Sequence, residues 1–83
     1  MKIAVRYFAS VREALGAGED AQVAPGADVA ALRDALIARG GRHAEALGRR
    51  RLLRSARNLA LCSEDTALVE GDEIGFFPPL TGG

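Results

Sequence analysis

Tryptophan is absent, cysteine and histidine occur once each, and Lys2 is the only lysine in 83 residues. A single cysteine closes no internal disulfide, which excludes a small disulfide-stapled scaffold and fits a reducing compartment, the cytoplasm. His43 has no second histidine, cysteine or suitable carboxylate pair nearby in the sequence, so no metal site is expected and the side chain is read as solvent-exposed. No stretch approaches the roughly 20 apolar residues that cross a bilayer, and nothing at the N-terminus is laid out as a signal peptide, so no membrane association is expected. Gly16-Ala17-Gly18 continues neither into a phosphate-binding Gly-Lys-Ser/Thr nor into a full dinucleotide fingerprint. The chain is therefore expected to bind no nucleotide itself.

What remains is one small domain with an ordinary share of apolar residues. Its zero net charge hides an uneven distribution. Residues 42–58 hold six arginines against Glu45, whereas residues 59–83 hold five acidic side chains and no basic one. The basic run lacks interleaved aromatics and an overall positive charge, so a solvated face or an acidic protein partner fits it better than nucleic acid.

Ile3, Val5 and Tyr7 alternate with Ala4, Arg6 and Phe8, which predicts a strand with the first set inward and Phe8 outward. Ser10 and Glu13 have capping-box spacing for a short helix ended by Gly16. A second strand is expected over 19–24, closed by Pro25-Gly26. Asp28 is placed to cap the main helix, 29–39, with Val29, Leu32 and Leu36 inward, Ile37 at the edge, and Arg33, Asp34 and Arg39 pointing away from the core. Gly40-Gly41 stops it, and a further turn is expected near His43–Leu47. Leu52-Leu53 followed by alternating Arg54, Ser55, Ala56 and Arg57 fits a strand with a basic exposed edge, Asn58 a turn, and 59–62 a short return strand. Leu68 tucks inward from a polar loop before a last strand over 73–77. The resulting ββαββ order is an α+β fold: a mixed sheet on one main helix, with first and last strands parallel.

The C-terminal octet stands out. Phe76 and Phe77 are strand formers; Pro78 and Pro79 end the strand and keep the chain beyond it extended. Gly82 and Gly83 allow close backbone approach and end in an α-carboxylate that is ionised at neutral pH. The chain thus divides into a folded body, 1–77, and a thin tail, 78–83. On the last strand Ile74 and Phe76 face inward, while Glu73, Gly75 and Phe77 face outward. Phe77 and Phe8 would then meet on adjacent strands at the root of the tail, as an exposed aromatic patch that Leu61 could join. Cys62, among Leu59, Ala60 and Leu61, has no basic neighbour to activate it, and a half-buried bystander fits it better than a persulfide relay.

The sequence Phe-Phe-Pro-Pro-Leu-Thr-Gly-Gly, together with Phe8-Ala-Ser-Val-Arg-Glu13 and Gly71-Asp-Glu-Ile74, resembles the small subunits of molybdopterin synthase, a family of ubiquitin-like sulfur carriers. The resemblance implies a β-grasp fold. It also implies that Gly83 is adenylated by a ubiquitin-activating-like enzyme that uses ATP, then converted to a thiocarboxylate by a sulfur donor. The sulfur would pass to a cyclic pyranopterin precursor held by the large subunit, in a heterotetramer, to build the dithiolene. Phe8, Leu61, Phe77, Pro78, Pro79, Leu80, Thr81 and Gly82 would then contact partners. A carrier for thiazole, cysteine or tRNA thiolation, a protein modifier joined through Gly83, and a passive adaptor remain as alternatives at this point.

Overall fold

The computed structural model describes residues 1–79. A five-stranded sheet has the order β2-β1-β5-β3-β4, with β1 Lys2–Tyr7, β2 Gly18–Gln22, β3 Arg54–Arg57, β4 Ala60–Cys62 and β5 Glu73–Phe77. Helices α1 Ala9–Leu15, α2 Val29–Ile37 and α3 Gly41–Leu47 complete it. β1 pairs antiparallel with β2 and parallel with β5, so the first and last strands lie side by side in the expected sense.

The alternation in β1 and β5 sets the core. Ile3, Val5, Tyr7, Ile74 and Phe76 are essentially inaccessible, and α2 covers them with Val29, Leu32 and Leu36. Leu47 and Val11 bring α3 and α1 into the same cluster, and Leu68 closes it from the loop before β5. Asp28 caps α2 as expected, its carboxylate accepting from the Ala31 amide at 2.8 Å. Gly40, at φ 73°, turns the chain out of α2 in the left-handed region that glycine enters without cost.

Several expectations need correction. Arg33 does not point away from the core: it is 4% exposed. Its Nε donates to Leu47 O at 2.8 Å and its Nη2 to Gly48 O and Arg51 O, both at 3.0 Å. Its Nη1 donates to Glu64 Oε2 at 2.7 Å. A helix position that looks polar by pattern is thus the tether of the whole loop after α3. Ser10 is no N-cap; it lies within α1, whose extended N-cap is Phe8 with no side-chain cap. The Phe8 amide still donates to Phe76 O at 3.1 Å, so the β1 ladder runs one residue further before Ala9, at φ 52°, turns into the helix.

The basic segment is not an exposed strand edge. Residues 48–53 are loop, and β3 lies inside the sheet between β5 and β4. β2 begins at Gly18 and stops before Val23, and α2 ends at Ile37, where the Arg39 and Gly40 amides tighten the last turn by donating three residues back. His43 is not free in solvent: its Nε2 lies 2.7 Å from Glu19 Oε2. No helix among the described residues is long and apolar enough to cross a membrane.

Candidate functional site

β5 is the central strand of the sheet and leads directly into Pro78 and Pro79. The tail therefore starts from the best-braced strand in the molecule. Leu80, Thr81, Gly82 and Gly83 lie outside the described residues.

The outer face of the sheet at this end carries the expected aromatics. Phe8 is 41% exposed and Phe77 is half-buried. Their ring centroids are 6.4 Å apart at an interplanar angle of 81°, an edge-to-face pair. Such pairs add about 0.5–1.5 kcal/mol to simple burial, which favours this mutual arrangement of the rings.

Gly75 makes that pose available. A β-carbon there would lie 2.9 Å from Phe8 Cε2, so the Phe8 ring occupies the space a side chain would fill. The period-2 pattern already put Gly75 on this face; a lone glycine inside a strand is the sequence signal for such a close approach. Across the sheet, Arg6, Gly75, Ala56 and Leu61 stand in one register row. Leu61 is 64% exposed on the same face as Phe77, but β3 separates their strands, so it extends the patch without touching the aromatic pair. Its position follows from a tight hairpin: Asn58 and Leu59 both have positive φ, 49° and 72°, as a two-residue type I′ turn requires. Sequence reasoning missed Arg54, which pairs with Phe77 in register and adds a charge beside the aromatic pair.

A second polar cluster lies elsewhere. The Glu19 carboxylate accepts from Tyr7 Oη at 2.7 Å and is contacted by His43 and Arg39. Burial works against its ionisation, but hydrogen bonds from His43, Tyr7 and Arg39 prevail and hold its pKa down to about 2. Burial, followed by the Glu19 carboxylate, pushes the Tyr7 phenol well above its ordinary range. This cluster joins β1, β2 and the ends of α2 and α3. Its bonds tie these elements together. Cys62 is partly buried; the Ser55 hydroxyl lies 3.7 Å from its sulfur, and no cation is bonded to it.

The described residues thus place an outward aromatic pair beside the strand that leads into Pro78 and Pro79. The model of the ThiS family matches residues 5–83. The molybdopterin synthase sulfur carrier subunit of Escherichia coli is 44% identical over 81 residues, which are 98% of this chain and 99% of that protein. Among solved structures, the complex of subunits 1 and 2 of the molybdopterin-converting factor from Helicobacter pylori contains a chain that is 28% identical, matched over 100% of both chains with a TM-score of 0.69. Small archaeal modifier protein 1 of Haloferax volcanii is 26% identical over 95% of this chain and 98% of its own, with a TM-score of 0.78. The chain belongs to the ThiS family and groups there with the sulfur carrier subunits of molybdopterin synthase.

Proposed function

We propose that the chain carries sulfur as a thiocarboxylate on Gly83 and hands it to a cyclic pyranopterin precursor bound by the large subunit of molybdopterin synthase. The observation that carries this reading is the departure of Phe77-Pro78-Pro79 from the central strand, beside an outward aromatic pair. An internal strand held by hydrogen bonds on both sides gives the tail a fixed origin, and the prolines keep its first steps extended. The folded body, 1–77, then serves as a handle for the tail, 78–83.

The chemistry follows from the carboxylate. Ionised, it is a poor acyl electrophile but can attack the α-phosphate of ATP, releasing pyrophosphate and giving an acyl adenylate. Sulfide then adds to the acyl carbon and AMP leaves, which yields the thiocarboxylate. If a persulfide is the donor, a thiol must cleave the resulting acyl disulfide. The thiocarboxylate sulfur would then bond to a pterin carbon and displace an oxygen substituent there, giving an acyl thioester; water would cleave its acyl–sulfur bond, leaving the sulfur on the pterin and restoring the carboxylate. In this reading the chain binds no cofactor; ATP belongs to a ubiquitin-activating-like partner, and the whole cycle runs in the cytoplasm. Phe8, Phe77 and Leu61 would meet partners through the sheet face, and Pro78 to Gly82 would line the channel each partner offers.

The test is the intact mass of the chain after co-expression with an adenylating enzyme and a sulfur donor. One oxygen replaced by sulfur, lost when Gly82 and Gly83 are deleted, is the expected result. The deletion should leave the melting temperature unchanged, because the buried core among the described residues runs from Ile3 to Phe76. A chain that still supports cofactor synthesis with its terminus permanently extended would refute the reading. The likeness to a small archaeal modifier protein favours one second reading, conjugation to lysines of other proteins. Ladders of larger conjugates, with no sulfur-bearing species, would establish it instead.

A further inference from the structure

At the tail end of the sheet, α1, α3 and residues 50–53 enclose a groove of about 620 Å³ with Pro78 on its rim. Val11, Ala14 and Leu53 give it apolar walls, and Arg42, Arg50 and Arg51 stand along it against Glu13 and Glu45. The loop wall is preformed: buried Arg33 holds the carbonyls of Gly48 and Arg51, and the Arg51 amide closes a turn onto Gly48 O at 2.8 Å.

The arginines of this chain sort by position. Ion pairs engage Arg6, Arg33, Arg39, Arg49 and Arg57. Arg51 spends its Nε on Glu45 O at 3.1 Å. Among the described residues, Arg12, Arg42, Arg50 and Arg54 take part in no ion pair, and all four are exposed. All four also sit at the end from which the tail leaves: Arg12 on α1, Arg42 and Arg50 at the groove, Arg54 opposite Phe77. Glu70 lies at the other end, its carboxylate accepting from the Lys2 amide at the start of β1. Exposed cations gathered without partners repel one another and raise the potential around the tail root. Any protein that takes in the tail must lie against this end, within the roughly 8–10 Å over which exposed charges act in physiological salt.

We propose that the groove receives an acidic segment of the large synthase subunit, with carboxylates set against Arg42 and Arg50 and an apolar side chain against Val11 and Leu53. The inference rests on the carrier reading and adds a second contact, on the helical side of the tail root, to the aromatic contact on the sheet face. It also gives the basic run of the sequence a role in attracting the partner rather than in binding nucleic acid.

Stopped-flow association with the cognate large subunit tests this. The double variant Arg42→Gln and Arg50→Gln should slow association about threefold to tenfold at low salt, and flatten its dependence on salt. Lys2→Gln removes one charge at the opposite end and should leave the rate unchanged. Ser10→Trp, exposed at the groove rim, should speed dissociation at least tenfold with the far-ultraviolet spectrum intact. Unchanged kinetics in both groove variants, with wild-type binding normal, would overturn the groove alone. A wild-type chain that acquires no sulfur and binds no large subunit would overturn the carrier reading and the groove together.

Discussion

Replacing Arg33 with methionine should be among the most damaging single changes outside the apolar core. The side chain is 4% exposed and spends its donors on three main-chain carbonyls and one carboxylate. Methionine has similar length and no donor. Leu47 O, the most buried acceptor, would lose its partner at about 1–3 kcal/mol, and the partly buried carbonyls of Gly48 and Arg51 would cost about 1 kcal/mol each. Glu64 keeps Arg49, so its loss is smaller. The sum, about 3–5 kcal/mol, matches the usual cost of breaking a buried charged network by removing one side. Against a total of roughly 5–15 kcal/mol for a domain this size, that is a large fraction.

Urea unfolding followed by circular dichroism is the assay, since the chain has no tryptophan. The midpoint should fall with an unchanged slope, because the surface exposed on unfolding is the same. Arg33→Lys should recover less than half, as one ammonium cannot fork to carbonyls on both sides of the loop. Hydrogen exchange at the Arg51 amide should accelerate in both variants. A methionine variant within about 1 kcal/mol of wild type would refute the claim that this arginine holds the loop after α3.

The remaining geometry sets three further outcomes. Glu19 is depressed to about 2, so its contribution is complete above the ordinary carboxylate pKa of 4.5 and disappears as pH falls towards 2. With 27% of its side chain exposed, that contribution is on the order of 2 kcal/mol, and the stability gap between wild type and Glu19→Gln should close across this window in acid titrations of unfolding. Phe77→Ala should weaken binding to the large subunit by about 1–3 kcal/mol in calorimetry, the range for an aromatic anchor; unchanged affinity would remove the patch from the interface. Gly75→Val should weaken the same binding more than Gly75→Ala, because the added methyl groups must displace the Phe8 ring, while both variants stay folded.

Much of the fold was legible from local pattern. Alternation assigned Ile3, Val5, Tyr7, Ile74 and Phe76 inward, and with β1 and β5 adjacent and parallel it placed Phe8 and Phe77 together. Asp28 announced its helix because a cap acts on the next three residues. Arg33 was not legible, because its partners lie 14 to 31 residues away and no helical period distinguishes a buried guanidinium from a solvated one. His43 was misread for the same reason, its partner being 24 residues away. The capping box failed because Phe8, pairing onward with Phe76, carries the strand past Tyr7 and leaves Ser10 already inside the helix. The groove was invisible, since α1, α3 and the following loop share no sequence signal.

The arrangement separates the charged networks that brace the body from the exposed aromatic face at the tail root. Hydrogen bonds flank β5 on both sides, from β1 and β3, whereas the sheet's free edges are β2 and β4. Opening at either edge leaves the strand that launches the tail in place, so the tail root has the stability of the core rather than of a chain end. The charged networks that brace the body, around Arg33 and Glu19, lie away from the Phe8–Phe77 face. What the face itself presents is two rings edge to face, with Arg54 opposite Phe77 in register. In the carrier reading that division has a use: a partner docking at the face would replace water and counter-ions there without drawing on an interaction that keeps the body folded.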